Sequence, residues 1–149
     1  MGAVTYPDKK VTDFVMGQMV PLQVQADNPL ADEFGVKWTP TIIILDYHGK
    51  EHHRTVGFFP PEEFIPNLLL GMGKIEFDGD RFGEALQRFA GLLADYPRSN
   101  AAPEAIYLAG VSGYKSSHDA APLKEAYAKL KAEFPQNEWT QRAQPYSLL

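Results

Sequence analysis

Apolar positions change their spacing along this chain, and the changes divide it into two halves. Near the start, Val11, Phe14 and Val15 fall on one face of a helix that opens at Pro7-Asp8 and is expected to stop at Gly17. Val20-Pro21-Leu22-Gln23-Val24-Gln25 then alternates apolar and polar with period two, which predicts a half-buried strand. Asn28 to Gly35 reads as a short helix, with Asn28 as N-cap, Pro29 at the first helical position and Gly35 as the stop. The run Ile42–Leu45 is apolar on successive residues, the pattern of a strand covered on both faces. Arg54-Thr55-Val56-Gly57 is expected to pair with it across a turn at His48-Gly49. Pro60-Pro61-Glu62-Glu63-Phe64 opens a further helix, with acids in the first turn where the helix dipole favours them.

From about residue 76 only helical periodicity remains. One predicted helix carries Leu86, Phe89, Leu92 and Leu93 and ends at Tyr96-Pro97. A second holds Ala102, Ala105, Ile106, Leu108 and Tyr114. A third starts at Asp119, carries Leu123, Tyr127 and Leu130, and ends at Phe134-Pro135. A last one starts at Asn137 or Glu138 and includes Trp139 and Arg142. The endings repeat: Asp95-Tyr96-Pro97-Arg98-Ser99 matches Glu133-Phe134-Pro135-Gln136-Asn137, and the two prolines lie 38 positions apart. Ala85, Phe89 and Pro97, and again Leu123, Tyr127 and Pro135, have the spacing of the second-helix Ala, aromatic and Pro of tetratricopeptide repeats, with Leu123 where that family prefers Ala. The second half therefore resembles divergent tetratricopeptide-like repeats. Gly71-Met72-Gly73-Lys74 lacks the spacing and the hydroxyl residue of a phosphate loop and is expected to link the halves. The domains expected are 1–72 and 73–149.

Composition removes several classes of function. A net charge of −5, with lysines and arginines scattered singly, argues against nucleic acid as a partner. No apolar run approaches the length of a membrane span, and Met1–Pro7 has no basic and apolar leader pattern, so the compartment expected is the cytoplasm. The chain has no cysteine, which excludes a thiol nucleophile, a disulfide and a thiolate metal site. His48, His52 and His53 invite a metal reading. Adjacent strand residues point to opposite faces, however, so an exposed hairpin is the better account and neither metal nor other cofactor is expected. Glu62/Glu63 and Asp32/Glu33 lie at helix ends, where capping explains them. The serines sit in no nucleophile elbow.

Across residues 4 to 70 the order of elements resembles a thioredoxin-like domain. Thr39-Pro40 stands where that family has a cis-proline before a central strand, and Asp46…Gly49-Lys50 matches its strand-turn-strand junction. Arg54…Gly57 matches the strand whose glycine admits a neighbouring backbone, and Pro61-Glu62-Glu63-Phe64 the start of its last helix. Upstream, Tyr6…Asp8…Val11 is similar to the helix that follows the redox motif. The resemblance implies that Trp38, Thr39, Pro40, Gly57 and Phe58 form a peptide-docking lip, with Trp38 and Phe58 flanking Pro40. It also implies a strand and a Cys-x-x-Cys pair ahead of the first helix, where this sequence has Met1 and a few residues. Either that strand and site were lost, or the chain begins inside a longer redox protein. The missing strand belongs between Val20–Gln25 and Thr41–Leu45, and no compensation for two open edges is visible in the sequence, which favours the second account.

The fold expected is thus an α/β thioredoxin-like domain, N-terminally incomplete, followed by an all-α tetratricopeptide-like repeat region. The function expected is a non-catalytic interaction module with a protein or peptide partner. The alternatives are a fragment or inactive relative of a thiol-disulfide oxidoreductase, and a structural subunit that forms homo-oligomers through an open sheet edge.

Overall fold

A computed structural model describes residues 1–149. Helix α1 spans Lys9–Gln18 and is capped by Asp8, whose Oδ1 accepts from the backbone N–H groups of Lys10 and Val11. It runs through Gly17 to Gln18, because one interior glycine costs only about 1 kcal/mol and Met19 N–H still bonds to Val15 O. Helix α2 is a single short turn, Pro29–Glu33, capped by Asn28 and closed by Gly35 at φ +62°. Strands β1 (Thr41–Leu45) and β2 (Glu51–Val56) form an antiparallel hairpin, and they are the whole sheet. Helices α3 (Pro61–Asp78), α4 (Phe82–Asp95), α5 (Ala102–Ser117), α6 (Ala121–Glu133) and α7 (Glu138–Ala143) follow, then a closing 3₁₀ turn, Gln144–Leu148. No helix is long and apolar enough to cross a membrane.

Three sequence expectations fail here, each for a tertiary reason. Val20–Gln25 joins no sheet; it is extended chain with Val20 95% and Leu22 76% exposed. A lone strand exchanges its hydrogen bonds with water at no gain, so period-two alternation forms a strand only where a neighbour offers a ladder. Strand β1 is not covered on both faces. Ile44 is buried, its three predecessors are half-buried and Leu45 is exposed, because α3 is the one element packed on the hairpin. Finally, Gly71–Lys74 is no linker. It lies inside α3, so the boundary expected between residues 72 and 73 falls within one continuous helix.

The two glycines serve close approach. A Cβ on Gly71 would stand 2.6 Å from Ile44 Cγ1 and 3.2 Å from His53 Cβ, and one on Gly73 would collide with the Phe89 ring. Helix α3 therefore presents bare backbone to the hairpin on one side and to α4 on the other. Its Phe64, Ile65 and Leu68 join Val11 and Ile44 in one core; its Leu70 joins Ala85, Phe89, Leu92, Ala101, Ala105 and Leu108 in a second. A third, smaller core gathers Ile106, Ala126, Leu130 and Ala143.

Successive helices from α3 to α6 pack against one another, and α7 closes against α5 and α6. The 38-residue repetition is visible in the backbone. Tyr96 and Phe134 end α4 and α6 with matching dihedrals (φ −133°, ψ 54° and φ −136°, ψ 54°), and their N–H groups bond to Leu92 O and Leu130 O. Three residues on, Ser99 N–H and Asn137 N–H bond back to the carbonyls of Tyr96 and Phe134. Leu92 and Leu130, and likewise Ala105 and Ala143, are equivalent under the same offset and fully buried.

Candidate functional site

The segment before β1 carries two local features and one bond from across the hairpin. The Thr39-Pro40 peptide bond is cis. Thr41 Oγ1 donates to Trp38 O at 2.6 Å, which closes a turn around the two residues. Gly57 N–H donates to Pro40 O at 2.8 Å, extending the β1–β2 ladder by one step beyond the Thr41–Val56 pair. Gly57 has φ +113°, a conformation that side-chain-bearing residues avoid, and this turns the chain out of β2 toward Phe58. Thr39, Pro40 and Gly57 are thereby brought together. Trp38 and Phe58 adjoin them in the chain and are 71% and 56% exposed. Beside them, β1 bonds to β2 along one edge only, so the peptide groups of its other edge have no partner strand. The buried Thr5 hydroxyl donates to Phe59 O and ties the N-terminal residues to this end of the hairpin.

The profile of the thioredoxin-like domain family matches residues 3–69. Residues 3–69 form a thioredoxin-like domain. The match ends inside α3, so the last helix of this domain is also the first helix of the helical region. No curated protein and no solved structure matches the chain. Within the thioredoxin-like domain the residues around Thr39-Pro40 offer peptide groups, a hydroxyl and two exposed aromatic rings, and no thiol. That chemistry is suited to holding an extended chain, with backbone for register and aromatic surface for apolar side chains.

Two side-chain clusters behind the hairpin join His52 and His53, which stood out in the sequence, to α3 and α5 residues far along the chain that no local pattern connected to them. The first surrounds His52. The ladder shifts between Ile44 and Leu45, so Ile44 faces His53, Leu45 faces Glu51, and His52 is the extra residue of a bulge. The alternation expected of neighbouring strand residues is broken there, and His52 and His53 both reach residues of α3. His52 Nδ1 lies 2.7 Å from Asp78 Oδ2 and its Nε2 lies 3.1 Å from Asp46 Oδ2. The other oxygen of Asp46 accepts from the N–H groups of His48 and Lys50, which shapes the turn. The hydrogen bond from His52, helped by those two backbone donors, holds the Asp46 carboxyl down to about 2.

The second cluster surrounds His53, which is buried. Its Nε2 is 2.9 Å from Asn67 Oδ1 and its Nδ1 is 3.3 Å from Lys74 Nζ. Lys74 Nζ also donates to Glu104 Oε1 of α5 at 2.7 Å, and Asn67 Nδ2 donates to Thr55 Oγ1 at 3.2 Å. Burial, with the Lys74 charge adding to it, pushes the His53 imidazole below its ordinary value, against the opposing hydrogen bond that His53 Nε2 makes to Asn67 Oδ1.

Proposed function

We propose that this chain is a non-catalytic interaction module whose thioredoxin-like domain holds an extended peptide along the free edge of β1, beside Thr39-Pro40. The observation that carries the reading is that one-sided edge, flanked by exposed Trp38 and Phe58 in a chain without cysteine. An added strand gains main-chain hydrogen bonds from β1, and the aromatic rings select apolar side chains. The helical region, with its 38-residue repetition and paired helices, is read as tetratricopeptide-like and as a second protein-binding surface.

A panel of fluorescent peptides alternating β-branched and polar residues tests this by polarisation. Trp38→Ala is expected to weaken the best binder at least fivefold, the effect of losing a moderate aromatic hot spot worth about 1 kcal/mol or more. Equal affinity for wild type and variant would remove the site from this edge. Sedimentation at several concentrations separates peptide binding from assembly of copies through the same edge: a monomer throughout leaves the edge to peptides, and a concentration-dependent dimer favours the structural-subunit reading.

The match of residues 3–69 to the thioredoxin-like domain family also favours a second reading, an inactive relative of a thiol-disulfide oxidoreductase. Dithiol exchange needs a thiolate, and the chain holds none. It is expected to show no turnover in an insulin-reduction assay, and measurable turnover would overturn both readings.

A further inference from the structure

We propose that the His53 cluster is an acid-sensitive joint, in which protonation of His53 loosens the β1–β2 hairpin from α3 and α5. The joint lies where three elements meet: His53 and Thr55 come from β2, Asn67 and Lys74 from α3, and Glu104 from α5. The tautomer is fixed by the network. Asn67 gives its amide hydrogen to Thr55 and so turns Oδ1 toward His53, which must donate from Nε2. Nδ1 is then the bare acceptor, and the Lys74 ammonium donates to it. Every member of the cluster is satisfied only while the imidazole is neutral.

A second proton can enter only at Nδ1, the atom that faces Lys74. It replaces an acceptor by a donor and sets two cations against each other at a separation of 3.3 Å. The groups that face His53 do not cancel this. Glu51 on its own strand and Glu104 on α5 favour the charged ring, but Glu104 is already bonded to Lys74, and burial and Lys74 oppose the charge. The ring can be relieved by moving into water, which takes β2 off α3. A two-stranded hairpin has little stability of its own once that face is uncovered.

The sign follows from the depressed folded-state value. Above the ordinary value of 6.5 the ring is neutral folded or open, and the joint has its full strength. As pH falls below 6.5 the opened state takes up a proton that the closed state refuses, and closure weakens until the folded-state value is passed. Within that window the opening equilibrium rises about tenfold per pH unit.

Hydrogen exchange of the full chain, corrected for intrinsic rates, measures this between pH 7.5 and 5. The expected result is a loss of protection in β1, β2 and the middle of α3 that tracks the titration of His53 followed by NMR, while α6 and α7 keep their protection. In His53→Gln, which keeps a donor toward Asn67 and cannot titrate, that loss should be absent. An unchanged pH response in His53→Gln would overturn the proposal. So would a wild-type His53 that titrates with no change in hairpin exchange, a measurement that does not depend on the variant folding.

Discussion

Phe89→Ala is expected to lower the unfolding free energy by about 3–5 kcal/mol, the usual cost of removing a fully buried phenyl ring. Phe89 has no exposed surface, and its ring lies against the bare backbone of Gly73, where a Cβ has no room. Neighbours cannot collapse onto the space left behind: the opposing wall is helix backbone, and Leu92, Ala85 and Leu108 are already packed in the same core. Since domains of this size hold only about 5–15 kcal/mol in total, the loss is a large share. Urea unfolding measures it. Trp139, half-buried against Tyr107, reports the helical region, and far-ultraviolet dichroism reports the whole chain. Because α3 belongs to both cores, the loss is expected to reach the hairpin as well, with one midpoint for both probes. A hairpin that kept its wild-type midpoint while the helices lost theirs would show that α3 does not couple them.

Gly71→Leu is expected to be the largest disturbance of the thioredoxin-like domain. Two terms oppose each other. Leucine is the better helix former by close to 1 kcal/mol. Against that, its Cβ would lie 2.6 Å from Ile44 Cγ1, 3.1 Å from Ile44 Cβ and 3.2 Å from His53 Cβ. Atoms so near the strand backbone cannot swing aside, and overpacking of this kind costs about 1–3 kcal/mol, with the rest of the leucine side chain adding to it. The clash wins, so the hairpin lifts from α3 and the turn at Tyr47–Gly49 becomes a site of rapid limited proteolysis. Gly91 is the control of opposite sign. It lies in α4 with nothing within 4 Å of a built Cβ, so Gly91→Ala is expected to stabilise by about 0.5–1 kcal/mol. A Gly71→Leu protein with wild-type stability and wild-type cleavage would mean that α3 and the hairpin are not in close contact.

Local chemistry made much of this legible in advance. The cap at Asn28, the stop at Gly35 and the ends of the later helices are short-range events, and the residues that cause them stand next to the elements they bound. The Thr39-Pro40 step was likewise readable, since it and the Thr41–Trp38 turn around it act within a few residues. Gly71 and Gly73 were misread for a related reason. Glycine means freedom in a loop and close approach in a packed helix, and only the neighbour tells which. Ile44 and Phe89 are those neighbours, at separations of 27 and 16 residues in the chain.

Sequence alone determined the order of the helices and of the β1–β2 hairpin, the thioredoxin-like resemblance of the first half, the repetition in the second, and the lack of any thiol. These rest on spacing, on composition and, for the first half, on motifs that resemble a known family, all of which the chain carries wherever it folds. Tertiary structure alone decided that Val20–Gln25 stays unpaired, that α3 is the one element covering the β1–β2 hairpin, and that one helix serves both halves. It also brought His53, Asn67, Lys74 and Glu104 into one polar joint. The physical reason is common to all four: a ladder, a covered face, a close approach and a buried charge each need a partner from elsewhere in the chain, and no local pattern names that partner.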